Sequence, residues 1–179
     1  MRVILAVLTF VLANLANSAV AAPAPDIVGK SVVVTWTENR QLQRADGSVN
    51  VASSNDLRIY ISSAGRPFVR GSSAVGRFSA SSEQVGGSGT TNSGGMRVVS
   101  IDGHTIVLQA IIYGNWGRNL RVEIAPGGSS CSAQMLVAKE SGSAPKAFRS
   151  AMSGMQTEVH AVTVSGVSCT VQQGNVFAN

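Results

Sequence analysis

Apolar and polar side chains alternate with a period of two along several short segments, and this pattern constrains the fold most. Residues 57–62 read Leu-Arg-Ile-Tyr-Ile-Ser, and residues 120–124 read Leu-Arg-Val-Glu-Ile. Period two is typical of a β-strand with one buried face. Turn-forming pairs such as Asp46-Gly47 and Asp102-Gly103 separate such segments. The pattern predicts an all-β, antiparallel meander of about eight short strands.

The way in which these strands close is less constrained. Hairpin-length connections favour a closed or partly closed barrel, lipocalin-like in style, and a β-sandwich is the alternative, because both architectures give the same alternation. Ala144–Met155 predicts one short helix, since Phe148, Met152 and Met155 share a helical face. The stretch 79–95 is rich in Gly and Ser and predicts a flexible loop.

The first 22 residues have the composition of a secretory signal peptide. Arg2 precedes an apolar run from Val3 to Leu15, and small residues follow up to Ala22. The run is shorter than the ~20 apolar residues that a membrane-spanning helix needs. We expect cleavage near Ala21 or Ala22 and a periplasmic or secreted product. The remaining residues, 23–179, predict a single β domain with no membrane span.

The chain has few charged residues, and its net charge is positive. Charged residues make up 13% of the chain, the formal net charge is +5, and eleven of the fourteen basic residues are Arg. Arg binds carboxylate and phosphate groups bidentately, so an anionic glycan or a lipid headgroup is a candidate partner. A small apolar ligand inside a barrel is another candidate. Nucleic acid is not expected as a partner.

The chain has two cysteines, Cys131 and Cys169, both after the leader. An exported protein matures in an oxidising compartment, where two cysteines allow one intramolecular pairing. We therefore predict a structural Cys131–Cys169 disulfide.

Candidate ligand-binding residues lie in two segments of the chain. Arg66, Phe68 and Arg70 share one face at strand spacing, and Arg77 follows shortly after. Arginine beside an aromatic ring holds an anion and stacks a flat group. An edge strand blocked by Pro67 explains the same residues without a ligand. Trp116, in the predicted tight turn 114–117, either tucks back onto the domain or contacts a partner.

No catalytic or metal motif is present in the sequence. A G-x-S-x-G elbow and a P-loop are absent, and His104 and His160 lack metal-ligand spacing. Glu38 and Glu123 are a candidate carboxylate pair for glycoside hydrolysis. Glu123, however, alternates with apolar residues, which predicts that it faces solvent and pairs with Arg121 or with an arginine on a neighbouring strand. We expect no catalytic residue, no metal and no cofactor.

Together with the leader, the segment Ser31–Gln41 (Ser-Val-Val-Val-Thr-Trp-Thr-Glu-Asn-Arg-Gln) and the ending Ser168–Phe177 resemble small exported proteins of unknown function from Gram-negative bacteria of the alphaproteobacterial type. The resemblance is one of style over the whole chain and includes no diagnostic motif. The opening at Gly29 is similar to the Gly-x-Trp start of lipocalin-like barrels. Trp36, however, follows Gly29 by seven positions instead of two. No ligand-binding residue is carried over from that family.

The sequence thus predicts an exported, non-catalytic binding or interaction protein of the bacterial cell envelope. The alternative is an envelope-polymer hydrolase with an unrecognised site around His104 or His160. A histidine within hydrogen-bond reach of a serine or carboxylate in a cleft would favour that alternative.

Overall fold

The chain folds almost entirely into β-strands. The structure, a computed structural model, describes residues 22–75, 78–85, 96–111, 116–139, 148–149 and 156–178. These residues form a 3-10 turn, Pro25–Ile27, followed by ten strands. The strands are β1 (Lys30–Arg44), β2 (Gly47–Ile61), β3 (Pro67–Val75), β4 (Phe78–Val85), β5 (Arg97–Asp102), β6 (Thr105–Ile111), β7 (Trp116–Ile124), β8 (Cys131–Lys139), β9 (Phe148–Arg149) and β10 (Gln156–Gln173).

The strands build two sheets that pack against each other. The first sheet has the order β4-β3-β2-β1-β10-β9, and the second has the order β5-β6-β7-β8. Every pair of neighbouring strands is antiparallel. The predicted all-β antiparallel class is therefore confirmed.

The alternation in the sequence decides which side of each strand faces the other sheet. Along β2, the odd-numbered residues from Ser53 to Ile61 are buried, while Arg58 is exposed. Burying one Leu, Ile or Val side chain stabilises the fold by about 1.5–3 kcal/mol. The main core lies between the sheets and consists of Ile27, Val32, Val34, Trp36, Leu57, Ile59, Ile61, Val69, Met96, Ile101, Ile106, Leu108, Leu120, Val122 and Ile124.

The expected barrel closure is wrong. No hydrogen-bonded ladder joins the first sheet to the second in the described part of the chain, so the sheets remain separate. A disulfide between Cys131 of β8 and Cys169 of β10 links them, with 5.7 Å between the two Cα atoms. The predicted disulfide is thus present, and the alternative prediction, a two-sheet sandwich, matches the architecture.

Two local predictions differ from the structure. β4 covers the first part of the stretch 79–95, where a loop is predicted, because its backbone pairs with β3 from Phe68 to Val75. Within the predicted helix 144–155, Phe148 and Arg149 are extended, because they pair with Thr157 and Gln156 of β10. In both places backbone pairing overrides the local sequence pattern. The rest of the two stretches, 86–95 and 144–147 with 150–155, lies outside the described residues.

A bulge bends the long strands near their middle. Thr35 pairs with Ser168 and Thr37 pairs with Ser165, so Trp36 faces two residues of β10. Gly166 is one of the two and has φ +62°, a left-handed conformation that favours glycine. The break that the sequence indicates at Ser165-Gly166 is this bulge.

Candidate functional site

The structure separates the predicted ligand-binding residues. Phe68 and Arg70 lie on the solvent face of β3, since Val69 between them points into the core. Arg66 is exposed in the turn before β3, where its backbone N–H donates to the Ser62 hydroxyl at 3.0 Å. Arg77 lies outside the described residues. β3 lies between β2 and β4, so Pro67 begins an internal strand and does not block a sheet edge.

Trp116 does not lie at a loop tip. It is the first residue of β7 and is half-buried. It packs against a small second cluster built on Leu42 and Val162, at the end of the sandwich where β1 finishes. Of the two readings of this residue, the structure therefore favours tucking back onto the domain.

The partners of Phe68 and Arg70 come from β2. Tyr60 lies opposite Phe68, Arg58 lies opposite Arg70, and Asp56 lies opposite Ser72. Opposite side chains on one sheet face have their Cβ atoms about 4.5–5.5 Å apart. We call the surface formed by these three pairs the outer strip: Asp56, Arg58, Tyr60, Phe68, Arg70 and Ser72.

The contacts within the outer strip order its rings and charges. The rings of Tyr60 and Phe68 are tilted by 39°, with 6.2 Å between centroids. Arg58 donates from Nε to Oδ1 of Asp56 at 3.0 Å, and 46% of the Arg58 side chain remains exposed. Arg70 places its guanidinium 5.0 Å from the centroid of the Phe177 ring.

The direct opposition of Arg58 and Arg70 is unfavourable for folding. Like charges directly across a sheet repel each other. Asp56 offsets part of this charge, and the backbone register also brings Glu83 of β4 opposite Arg70. Two adjacent arginine side chains on an exposed face are nevertheless a suitable arrangement for an anion, because each guanidinium presents several N–H donors.

A shallow groove begins where the outer strip ends. It has a volume of about 420 Å³ and lies over β1, β2 and β3 beside the bulge. Its exposed or half-buried polar residues include five hydroxyl side chains and one carboxylate. We call it the outer groove; its lining residues are Thr35, Trp36, Thr37, Ser54, Asn55, Asp56, Ser72, Ser73 and Gly166.

A second groove, of about 500 Å³, lies on the outer face of the second sheet. It contains Leu136, whose side chain is 64% exposed, together with Val107 and Arg121. Nearby, Arg121 pairs with Glu123 at 2.7 Å, as the sequence predicts. Glu38 is fully buried between the sheets, so it shares no cavity with Glu123.

His104 lies beside a carboxylate at the end of the sandwich where β1 begins. Its Nε2 is 2.9 Å from the Asp26 carboxylate, which also accepts the Gly127 N–H at 2.5 Å. These hydrogen bonds, that of His104 first, lower the pKa of Asp26 below its usual value. Lys30 donates from Nζ to the Gly127 carbonyl at 2.8 Å. The cluster ties the segment before β1 to the two turns of the second sheet.

The hydrolase alternative requires a histidine within hydrogen-bond reach of a serine or carboxylate, and it requires that this pair lies in a cleft. The structure meets only the first requirement. The His104–Asp26 contact has hydrogen-bond length, but neither described groove is lined by these two residues. His160 is far away, because it lies in a second bulge of β10, opposite Gln41 and Leu42 near the far end of β1. The two histidines therefore do not form one site.

A buried ionic cluster separates the main core from the small cluster around Leu42. Glu38 of β1 accepts hydrogen bonds from Arg40 Nε at 2.5 Å and from Arg118 Nη2 of β7. The Arg118 guanidinium also lies over the Trp36 ring, 5.3 Å from its centroid. Since Glu38 is completely buried and Arg118 nearly so, this contact joins the two sheets rather than serving a ligand.

Among the described residues, no group of three or more His, Cys, Asp or Glu side chains is placed to hold a metal ion. The described helical residues include no segment long and apolar enough to cross a membrane.

No family model, curated protein or solved structure matches this chain. Function therefore has to be inferred from the side chains themselves. The sequence identifies Phe68 and Arg70, but it misses Arg58, Tyr60 and Phe177. The alternation of Arg58 and Tyr60 with apolar residues marks them as solvent-facing, yet it does not give the register that sets Arg58 opposite Arg70.

Proposed function

We propose that this chain is an exported, non-catalytic binding protein of a bacterial cell envelope and that its outer strip binds an acidic glycan. The observation that carries the proposal is the exposed Arg58–Arg70 pair directly beside the Tyr60–Phe68 pair. The strip offers positive charge and aromatic surface at neighbouring positions. The charge complements the acid group of an acidic sugar, and the aromatic surface complements the apolar face of its ring.

The arginine pair is suited to a carboxylate, sulfate or phosphate group. A guanidinium forms two parallel hydrogen bonds with such a group, and charge-assisted hydrogen bonds are about twice as strong as neutral ones. Arg58 and Arg70 are both exposed, so an incoming anion can reach them from solvent. Arg66, exposed in the turn before β3, adds positive charge beyond the Tyr60–Phe68 end of the strip.

The aromatic pair favours a glycan over a lipid headgroup. The rings of Tyr60 and Phe68 are half-buried, and each lies two residues along its strand from Arg58 or Arg70. Aromatic rings provide a large, rigid contact surface for the apolar face of a sugar. The hydroxyl groups of the adjoining outer groove are further hydrogen-bond partners for a sugar chain.

Export is supported by the composition of residues 1–22 and by the disulfide. Disulfides persist in oxidising compartments such as the periplasm. A periplasmic or secreted location would bring the outer strip into contact with envelope polysaccharides. Mass spectrometry of the protein recovered from the periplasm, with an N-terminus near Ala22 or Pro23, tests the location.

The other candidate functions have weaker support. An apolar ligand inside the domain depends on a closed barrel with an internal cavity, whereas the space between the two sheets holds the packed main core. A hydrolase depends on a nucleophile beside the His104–Asp26 pair. Those two side chains are accounted for by the contacts that tie the segment before β1 to the second sheet.

The direct test measures glycan affinity of the oxidised protein isolated from the periplasm. We expect the double variant Arg58→Gln/Arg70→Gln to bind an immobilised acidic polysaccharide such as heparin at least tenfold more weakly, a loss of about 1.4 kcal/mol or more. Arg121→Gln, which removes one exposed arginine from the second sheet, is the matched control for the single variants Arg58→Gln and Arg70→Gln, because each of the three lowers the net charge by one. Equal losses in the single strip variants and in Arg121→Gln would reduce the effect to net charge and contradict the proposal, as would tighter binding to anionic lipid vesicles than to glycans.

A further inference from the structure

We infer that the glycan bound by the outer strip carries an uncharged sugar unit next to its acidic unit, and that the outer groove holds this uncharged unit. The inference rests on the proposed function and adds the pattern of charge along the ligand. It comes from the change in chemistry between two neighbouring register positions, the Arg58–Arg70 pair and the Asp56–Ser72 pair.

The two positions lie close enough for one short chain to occupy both. They are separated by two residues along β2 and β3, and strands rise about 3.3 Å per residue, which gives about 7 Å. Asp56 and Ser72 also line the outer groove. A chain whose acidic unit contacts Arg58 and Arg70 therefore has its next unit at the mouth of the groove.

The groove is suited to hydroxyl groups and unsuited to a second anion. Asp56 supplies a carboxylate whose side chain is 28% exposed, and carboxylates accept hydrogen bonds from sugar hydroxyls. Thr37, Ser54 and Ser72 supply hydroxyl groups around it. An acidic sugar in the same place would set two negative charges side by side, which disfavours binding.

The bulge shapes the floor of the groove. At Trp36 the strand β1 faces two residues of β10, and Gly166, one of those two, lines the groove without a side chain. Thr35 at the same level donates to or accepts from the Ser168 hydroxyl at 2.8 Å. The hydroxyl-lined surface therefore continues from β3 across to β10.

The test compares two acidic oligosaccharides of equal length. Hyaluronan oligomers alternate an acidic with a neutral sugar, whereas alginate oligomers carry an acid on every unit. We expect the periplasmic protein to bind the hyaluronan oligomer at least fivefold more tightly in calorimetric titrations. Asp56→Asn should reduce this ratio towards one, because the acid on the second unit no longer meets a carboxylate.

A matched control is available on the other sheet. Glu123 pairs with Arg121 two residues away, as Asp56 pairs with Arg58, so Glu123→Gln makes the same kind of change outside the strip. It should leave the ratio unchanged. The ratio is the readout because Asp56→Asn also releases Arg58, which raises the affinity for both oligomers.

The possible failures are distinguishable. Equal wild-type affinities for the two oligomers, with both lost in Arg58→Gln/Arg70→Gln, would overturn the inference and leave the proposed function intact. An unchanged ratio in Asp56→Asn would also overturn the inference. Absence of binding to either oligomer and to heparin would overturn both.

Discussion

The guanidinium of Arg70 lies over the ring of Phe177, with its carbon 5.0 Å from the ring centroid. This contact brings the C-terminal segment onto the solvent face of the first sheet. Ser31 holds the same segment, because its hydroxyl donates to the Gly174 carbonyl at 2.7 Å and accepts the Val176 N–H at 3.0 Å. Phe177 is thus a neighbour of the outer strip that is distant from it in sequence.

Phe177→Ala should weaken binding of an acidic glycan. The Phe177 ring holds the Arg70 guanidinium in position through a cation–π contact worth about 0.5–1 kcal/mol, so losing this ordering should lower the affinity two- to fivefold. Phe177→Tyr keeps the aromatic face and should retain the affinity. Titration with a heparin oligosaccharide measures both variants, and equal affinities for the alanine variant and the wild type would contradict a role of this ring.

Removing the buried carboxylate of Glu38 should destabilise the fold strongly. Glu38→Ala leaves the buried Arg118 guanidinium without its carboxylate, and breaking a buried pair costs about 3–5 kcal/mol. Denaturant unfolding monitored by tryptophan fluorescence measures the change. The combined replacement Glu38→Met/Arg118→Met should recover part of the loss, because it removes the buried Arg118 charge, whereas Arg40, the other partner of Glu38, is 13% exposed and can reach solvent; no recovery would mean that the uncompensated Arg118 charge is not the cause.

Acid should weaken the end of the sandwich that holds Asp26. Its pKa is lowered in the folded protein, first by the His104 hydrogen bond, so the folded state favours the charged carboxylate. The contribution of the Asp26 carboxylate to the free energy of unfolding is fully present above its unfolded-state pKa of about 4. It is lost as pH falls through the lower pKa of the folded state. The effect is small because the side chain is partly exposed.

Asp26→Asn tests this directly. The variant should be less stable than wild type at pH 6, and the difference should shrink as pH falls towards 3. Denaturant midpoints at several pH values give the comparison, with Asp102→Asn as a control at an exposed strand end. A difference that stays constant with pH would rule out this origin.

Reducing the Cys131–Cys169 disulfide should lower stability without changing the fold class. The cysteines are 38 residues apart, and closing a loop of that length contributes roughly 4 kcal/mol by restricting the unfolded chain. Thermal unfolding of the oxidised protein with and without reductant measures the shift. Cys131→Ser/Cys169→Ser should unfold at the temperature of the reduced protein and should not respond to reductant.

Local patterns predicted the elements that depend on local chemistry. The alternation around Ile59 and around Val122 predicted strands with one buried face, and both are found. Asp102-Gly103 predicted a turn, and Gly103 adopts φ +56° there. Where local preference competed with backbone pairing, as at Phe148, the pairing prevailed.

The candidate site was predictable only in part. Phe68 and Arg70 follow from strand spacing, but Trp116 does not lie at a loop tip, because it packs on the cluster around Leu42. Arg58 became a candidate only when β2 was placed next to β3, and Phe177 only when the C-terminal segment folded back. No spacing in the sequence connects these residues with Arg70.

The sequence by itself determined that this chain makes antiparallel β-strands with defined inner and outer faces, because a period of two is a property of each strand. It also determined the disulfide, because only Cys131 and Cys169 are available to pair. Tertiary structure alone decided that two sheets pack as a sandwich, that Arg58 lies opposite Arg70, and that His104 meets Asp26. These facts depend on the order and register of strands, and register is set by turn geometry and by which faces become buried, neither of which the residues of one strand specify alone.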